Sequence, residues 1–257
     1  MPFTVLTIFL RGCQIIQMDR ALLNHNLLGP VARGAGTTSN ILYFKGNRLW
    51  VACSGDSRAI MGQVKNDAII AVDLSEDHKP DLPNERVRIE AAGGVVSTAG
   101  PRGLPPSRVW VNGRVGLAMS RSLGDGEAKS HGVIPDPEIK QLSINPRKGG
   151  DGDGDKFVIV ASDGIWEFIS SQQVIPQERP RVPNSLHGTS AEAIPLFFWQ
   201  ACDVVHRHSD ATEACTELVR IAEERWREEE GSYRDDITCA AKHLQALTGQ
   251  SLVLVLV

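Results

Sequence analysis

The sequence predicts an α+β fold in which antiparallel β-sheets are covered by helices. Its strand-like segments occur in consecutive runs joined by short polar turns, and they do not alternate with helical segments. That order favours antiparallel sheets over a doubly wound fold. The chain also lacks a GxxxxGK[ST] motif and a GxGxxG motif placed between a strand and a helix, so a nucleotide cofactor has no support.

The first predicted element is a helix at residues 18–28, where four leucines are grouped at helical spacing before Gly29 and Pro30 break the pattern. Upstream, FTVLTIFL at residues 3–10 is apolar but has no basic region before it and no small-residue cleavage site after it. We therefore predict a strand or a disordered start there, and no signal peptide.

Two hairpins are predicted next. The segments TTSNILYF and RLWVACSG are joined by KGN, and RAIMGQV and AIIAVDLS meet around residues 65–67. Further along, ERVRIEAAGG predicts a short helix, and the Gly- and Pro-rich STAGPRGLPPS predicts a loop or flap. DATEACTELVRIAEERWREEEG predicts a long amphipathic helix that ends at Gly231, with its apolar positions at Ala214, Leu218, Ile221, Ala222 and Trp226.

The remaining segments suggest a division of the chain. Residues 176–196 contain several prolines and fit no element, so we predict an insertion there. The terminal SLVLVLV is far shorter than the roughly 20 residues that span a bilayer, which leaves a buried strand, an adhesive tail or a gene-model artefact. We predict a divergent segment with one helix at 1–33, a catalytic-type domain at 34–244 and an apolar tail at 245–257.

The composition of the chain disfavours several classes of protein. With 257 residues, 42% of them hydrophobic, the chain can bury one substantial core, while a net charge of -4 without any run of Lys or Arg disfavours nucleic-acid binding. The five cysteines are odd in number and form no CxxC pair, which disfavours a disulfide framework and structural zinc. We expect a monomer without a membrane span, in the reducing cytoplasm or nucleus.

Acidic residues beside Gly or Arg recur at the predicted strand ends. They are Asp56 in SGDSR, Asp125 in LGD, Asp163 in SDGIWE and the pair Asp235–Asp236 in RDDIT. Each motif alone is ordinary turn chemistry. Taken together, oxygen-rich and nitrogen-poor groups of this kind suit hard divalent ions such as Mg²⁺ or Mn²⁺.

Six segments in order resemble the metal-dependent protein serine/threonine phosphatases of type 2C, the PPM family. They are LWVACSGDSRAIMG, LSEDHKPDLPNERVRIEAAGGVV, RVWVNGRVGLAMSRSLGD, GVIPDPEI, FVIVASDGIWEFIS and RDDIT. The resemblance implies a four-layer sandwich of two antiparallel β-sheets flanked by helices. It also implies a binuclear Mn²⁺ or Mg²⁺ centre, at which a metal-bridging water attacks the phosphorus of phosphoserine or phosphothreonine in protein substrates.

The same resemblance assigns roles to particular residues. Asp163 and Asp235 match ligands of the catalytic metal pair. Asp56 and Glu167 match positions of an additional, weaker metal site, where Glu167 stands in place of the family's usual Asp. Arg58 and Arg121 look like structural ion-pair partners.

One family motif is absent from this chain. DGHGG, which in the family supplies the metal-bridging Asp and a His suited to general acid duty, does not occur, and neither does the upstream block with the substrate-phosphate Arg. We therefore expect that the first strands of the sandwich are missing and that residues 1–13 replace them. A truncated or mispredicted gene product, a pseudophosphatase that binds partners without hydrolysis, and an unrelated binding protein are the alternatives to an active phosphatase.

Overall fold

The computed structural model describes several stretches of the chain, without the side chains of residues 3–13 and Val115. The described stretches are residues 3–66, 68–100, 105–113, 115–145, 153–171, 201–244 and 251–257. The predicted insertion at 176–196 lies outside them. The helices are α1 (Phe3–Asn24), α2 (Gly29–Ala32), α3 (Pro83–Ala91), α4 (Gly126–Lys129), α5 (Asp163–Trp166), α6 (Ala201–Arg207) and α7 (Ala211–Glu230). The strands are β1 (Gly36–Thr37), β2 (Ser39–Lys45), β3 (Arg48–Ser54), β4 (Arg58–Lys65), β5 (Ala68–Asp73), β6 (Val95–Ser97), β7 (Arg108–Val111), β8 (Val115–Leu117), β9 (Leu123–Gly124), β10 (Glu138–Ser143), β11 (Gly154–Ala161), β12 (Cys239–His243) and β13 (Ser251–Leu256).

Two four-stranded sheets form the centre of the fold. Their strand orders are β10–β3–β2–β13 and β12–β11–β4–β5, and the described strand pairs in both are antiparallel. Both predicted hairpins are present, because β2 pairs with β3 and β4 pairs with β5. Strands β6, β7 and β8 form a smaller sheet, and β1 pairs with β9. The predicted α+β class with antiparallel sheets is confirmed.

An apolar layer joins the two large sheets. Its buried side chains come from both of them and include Leu42, Phe44, Leu49, Val51, Ala59, Met61, Val158 and Val160. Burying one side chain the size of Leu or Phe is worth about 1.5–3 kcal/mol. These contacts therefore hold the sheets face to face.

Helices cover the outer faces of the sandwich. On one side, α6 and α7 lie against the second sheet, where Leu218 and Ile221 share a buried cluster with Ile159 of β11. All the apolar positions predicted for α7 are buried, and Asp210 caps the helix by accepting hydrogen bonds from the next turn. On the other side, Ile15 of α1 lies against Ala52 of β3. The four-layer sandwich is confirmed.

The prediction for the N-terminal segment was wrong. Residues 3–10 are not a strand or a disordered start, because α1 runs without a break from Phe3 to Asn24. A short apolar run cannot be assigned to strand or helix by periodicity alone, and here it continues into the helical pattern of residues 18–24. The predicted end at residue 28 was also wrong: a turn follows Asn24, and α2 is a separate helix. None of the helices in the described part of the chain is long and apolar enough to cross a membrane.

The terminal apolar segment is a strand. Residues Ser251 to Leu256 of β13 pair with β2, with Leu256 buried and Val253 and Val255 exposed, so the structure agrees with the strand interpretation of SLVLVLV. An unpaired sheet edge readily accepts another strand, and β13 occupies that position beside β2. The division of the chain at residues 33/34 and 244/245 stays a prediction.

Both arginines that were predicted to be structural form ion pairs. Arg58 donates two hydrogen bonds to the carboxylate of Asp77, at 2.9 and 2.7 Å. Arg121 bonds the buried carboxylate of Glu85 at 2.7 Å, and Arg88 bonds the same carboxylate through both of its terminal nitrogens. Arg121 and Glu85 thereby connect helix α3 to the segment that precedes β9.

Candidate metal centre

Three loops with acidic residues meet at one end of the second sheet. Strand β11 ends opposite the first residue of β4 and the first residue of β12. Asp163 comes just after the end of β11, Asp56 just before β4, and Asp235 shortly before β12. The antiparallel register therefore brings together three carboxylates that are far apart in the sequence.

These carboxylates line one cavity of about 460 Å³. Its polar lining consists of the acidic residues Asp56, Asp163, Asp235 and Asp236, the hydroxyl residues Thr37, Thr38, Ser57, Ser162, Tyr233 and Thr238, and Arg108. Among the described lining residues, Arg108 is the one with a positive side chain. The cavity is thus a strongly acidic pocket with a single cationic wall residue.

Hydrogen bonds fix the loop after β11 to the loop before β12. The Ser162 hydroxyl donates to the carbonyl of Asp236 at 2.8 Å, and the Thr238 amide donates to the Ser162 hydroxyl at 3.0 Å. The carboxylate of Asp235 accepts a hydrogen bond from the amide of Asp236 at 2.7 Å. These contacts hold Asp163 and Asp235 at fixed positions relative to each other.

Two tryptophans anchor the turn that carries Asp163. The indole of Trp166 donates to the carbonyl of Ala161 at 2.8 Å, and the indole of Trp226 donates to the carbonyl of Gly164 at 2.7 Å. A Cβ on Gly164 would lie 2.5 Å from the carbonyl oxygen of Asp236. Glycine is required at this position because the two loops approach each other backbone to backbone.

Asp56 is held by a lysine that the sequence analysis did not single out. The Lys79 ammonium lies 2.5 Å from the Asp56 carboxylate, whose side chain is 2% exposed. His78, the residue before Lys79, has its amide bonded to the carbonyl of Gly55. The segment after β5 thus supports the loop of Asp56 and supplies its counter-charge. Within EDHKPD, nothing in the residue types distinguished Lys79 from an ordinary loop lysine.

The electrostatic environment of Asp163 is unfavourable for a negative charge. Burial, followed by the charges of Asp56 and Asp235, raises the pKa of Asp163 to about 7. The charge of Glu167 acts in the same direction, and that of Lys79 opposes it. A carboxylate in such surroundings is stabilised in its ionised form when a cation is close by. The donor chemistry of the cavity therefore fits a hard cation.

Two acidic residues from the sequence analysis lie elsewhere. Glu167 follows α5 and is not among the described residues that line the cavity. Asp125 is separate from the acidic cavity, and its carboxylate lies close to Gly36 and near Lys129. The inclusion of Asp125 with the other acidic motifs was wrong, because a strand-end Asp in the sequence does not reveal which end of which sheet it will occupy.

The described residues do not contain a ready-made metal cage. Across the described stretches, no group of three or more His, Cys, Asp or Glu side chains is arranged to hold one ion. Asp163 and Asp235 both line the cavity. A cation there would depend on water or phosphate oxygens for the rest of its coordination, which is the usual situation for Mg²⁺.

Comparison with known proteins identifies the family. The family model for protein phosphatase 2C matches residues 14–184, which is more than half of the chain. A probable protein phosphatase 2C 34 from Arabidopsis thaliana is 31% identical over 235 residues, which cover 90% of this chain and 54% of the relative. A probable protein phosphatase 2C 12 from rice, Oryza sativa subsp. japonica, is 39% identical over 187 residues, covering 70% of this chain and 45% of the relative. The chain spans about half the length of these curated relatives.

The fold has solved counterparts. A crystal structure of a serine-threonine phosphatase 2C from Toxoplasma gondii superimposes with a TM-score of 0.63 at 19% identity, covering 90% of this chain and 63% of that one. At this identity the likeness concerns the fold alone. Together with the family model and the Arabidopsis relative, it leads to one conclusion: the chain belongs to the protein phosphatase 2C family.

Proposed function

We propose that this chain hydrolyses phosphoserine and phosphothreonine in proteins with the help of Mn²⁺ or Mg²⁺. The observation that carries the proposal is the convergence of Asp56, Asp163 and Asp235 on one cavity at the end of the second sheet. Family membership supports the type of reaction.

In this proposal, Asp163 and Asp235 hold the catalytic cation, and Asp56 and Glu167 contribute to a weaker neighbouring site. When bound, a divalent cation supplies a Lewis acid that activates water and offsets charge on the phosphate. The protein fixes the positions of these carboxylates. The Ser162 hydroxyl accepts a hydrogen bond from the Thr238 amide and so joins the two ligand loops, and the amide of Asp236 orients the carboxylate of Asp235.

Arg108 is the residue we propose for contact with the substrate phosphate. It lies at the start of β7 in the cavity wall, and one of its terminal nitrogens donates to the carbonyl of Gly116 at 2.6 Å. That hydrogen bond orients the guanidinium and leaves its other donors free to bind phosphate oxygens. A phosphate would bind between Arg108 and a cation held by the carboxylates, since both of these carry positive charge and the carboxylates alone would repel it.

A phosphoprotein-binding module without turnover is the second candidate function. Its support is that the described residues contain no group of three metal ligands, and that Asp56 already has a counter-ion in Lys79. In this alternative the cavity binds a phosphorylated segment, and no water is activated.

Hydrolysis of a phosphothreonine peptide by the purified chain separates the two functions. The assay is run with millimolar Mn²⁺, with Mg²⁺ and with a chelator, and calorimetry measures peptide binding in parallel. We expect phosphate release that requires the divalent cation. Peptide binding without phosphate release at any metal concentration would support the binding module and contradict the phosphatase.

Replacing Lys79 with Met should tighten Mn²⁺ binding and destabilise the metal-free chain. Without the ammonium, the buried Asp56 loses the positive charge that is bonded to it, and we expect a loss of about 1–3 kcal/mol in the free energy of unfolding. A cation in the cavity would no longer be repelled by Lys79, so Mn²⁺ should raise the melting temperature more in the variant than in the wild type. Thermal unfolding and calorimetric titration with Mn²⁺ measure both effects.

The matched control for this change is Lys45→Met, at an exposed position of β2 opposite the first residue of β3, whereas Asp56 follows the other end of β3. It should leave both the stability and the Mn²⁺ affinity close to wild type. An unchanged Mn²⁺ affinity in Lys79→Met, together with a normal fold, would contradict a cation site beside Asp56.

A further inference from the structure

The described cysteines divide into two kinds. Cys53 and Cys202 are each 1% exposed, and burial raises the pKa of each thiol to about 12. Such thiols are shielded and unreactive. Cys215 and Cys239 are instead residues of intermediate exposure.

The two partly exposed cysteines are neighbours across the fold. Cys215 lies in the second turn of α7, and Cys239 is the first residue of β12, which packs against that helix. The Cys239 sulfur lies 3.6 Å from the carbonyl oxygen of Cys215. The side chain of Cys239 therefore lies directly against Cys215, although the residues are 24 positions apart in the sequence.

We propose that Cys215 and Cys239 are a reversible oxidation site, at which a peroxide converts the two thiols into a disulfide that links α7 to β12. The proposal rests on the close approach of the Cys239 sulfur to Cys215 and on the partial exposure of both residues, and it is independent of the proposed phosphatase activity. The sequence disfavours a disulfide framework, and this pair differs from one because it closes only in the presence of an oxidant.

Each step of the reaction balances with hydrogen peroxide as the oxidant. The Cys215 thiolate attacks one peroxide oxygen, the O–O bond breaks, and the sulfur becomes a sulfenic acid while hydroxide leaves. The Cys239 sulfur then attacks the sulfenic sulfur, forming the S–S bond and releasing water. In sum, two thiols and one peroxide give one disulfide and two waters.

Cys215 is the residue assigned to the first step. The neighbouring Cys239 thiol lowers the pKa of Cys215, whereas the Cys215 thiol and burial together raise the pKa of Cys239. The thiolate is the nucleophilic form of cysteine. Cys239 therefore acts second, as the thiol that resolves the sulfenic acid.

The proposed disulfide would form next to a loop of the candidate metal centre. Cys239 directly follows Thr238, whose amide bonds Ser162, and it comes four residues after Asp235. A disulfide would tie the strand that continues this ligand loop to α7. Oxidation would thus constrain one of the loops that form the acidic cavity.

Peptide mapping of the oxidised chain tests the proposal. The full chain is reduced, freed of reductant, treated with hydrogen peroxide and digested without reducing agent. We expect a peptide pair joined through Cys215 and Cys239, an intact mass lower by two hydrogen atoms, and recovery of both thiols after dithiothreitol. We also expect a higher melting temperature for the linked form, because the link constrains the unfolded chain.

Single variants provide the controls. Cys215→Ser and Cys239→Ser should each abolish the linked peptide, and Cys13→Ser should retain it. A linkage between other cysteines, a link between two copies of the chain, or a Cys215 sulfinic acid beside a free Cys239 thiol would overturn the proposal. If a Ser variant does not fold, the mapping of the wild-type chain still decides between these outcomes.

Discussion

Replacing Asp163 with Asn should lower the rate of Mn²⁺-dependent phosphopeptide hydrolysis by about 100-fold or more. Asp163 emerges directly after the central strand β11, and its carboxylate is the group around which Asp56 and Asp235 converge. Asn keeps the size of the side chain and removes its negative charge. A large decrease in the rate would therefore indicate that a cation ligand has been removed, since the volume of the side chain is unchanged.

Asp235→Asn should give a loss of similar size, and Glu229→Gln, on the exposed surface of α7, should leave the rate unchanged. Steady-state kinetics over a range of Mn²⁺ concentrations measures the rates, and circular dichroism checks that each variant is folded. Hydrolysis that persists in folded Asp163→Asn and Asp235→Asn chains would show that these carboxylates do not hold the catalytic cation.

Replacing Glu85 with Gln should lower the free energy of unfolding at pH 7 by about 3 kcal/mol. The Glu85 carboxylate is 4% exposed and is bonded by Arg88, Arg121 and the hydroxyl of Ser120. With Gln in its place, two partly buried guanidinium groups would lose their counter-charge. Truncating one partner of a buried ion pair is costly because the other charges remain desolvated.

The effect of Glu85 should depend on pH. Burial alone would raise the pKa of Glu85, but the hydrogen bonds from Arg88, Arg121 and Ser120 outweigh it and hold the pKa well below its ordinary value. A carboxyl group whose pKa is lower in the folded chain stabilises the fold above the pKa of the unfolded chain, about 4.3, and loses that contribution as the pH falls further. The difference between wild type and variant should thus be full above about pH 5 and should shrink in more acidic solution.

Urea unfolding between neutral and acidic pH measures this difference. Glu90→Gln is the matched control on the same helix, because Glu90 pairs with Arg86 at the surface and its side chain is 50% exposed. An exposed pair of this kind is worth less than about 1 kcal/mol. Equal losses in the two variants, or a Glu85 effect that does not change with pH, would contradict the role assigned to the buried ion pair.

The sequence predicted the local elements well where their patterns were unambiguous. The hairpin turn around residues 65–67 and the spacing of apolar residues in α7 are local signals, since each depends on residues a few positions apart. The prediction for FTVLTIFL was wrong because its pattern is ambiguous. A short run of apolar residues is compatible with both a strand and a helix. Here the run is continuous with the rest of α1 and is therefore helical.

The candidate site was predicted in part. Asp56, Asp163 and Asp235 stood out because each occurs in a recognisable motif, and the structure brings these three to one cavity. Lys79 and Arg108 were not singled out, because a positive side chain in a loop or at a strand end carries no signal of its partner. Their importance depends on which strand ends meet, and that is set by β11 pairing with both β4 and β12.

The sequence by itself determined the class of fold and the family resemblance, and it singled out three carboxylates that line one cavity in the structure. The tertiary structure alone decided that Asp125 is not among the described residues lining the cavity, that Lys79 pairs with Asp56, and that the Cys239 sulfur lies against Cys215. The physical reason is the range of the interactions. Turn formation and apolar periodicity act between residues that are close in the chain, whereas electrostatic and thiol contacts depend on distances that exist only after the sheets have paired and the helices have packed on them.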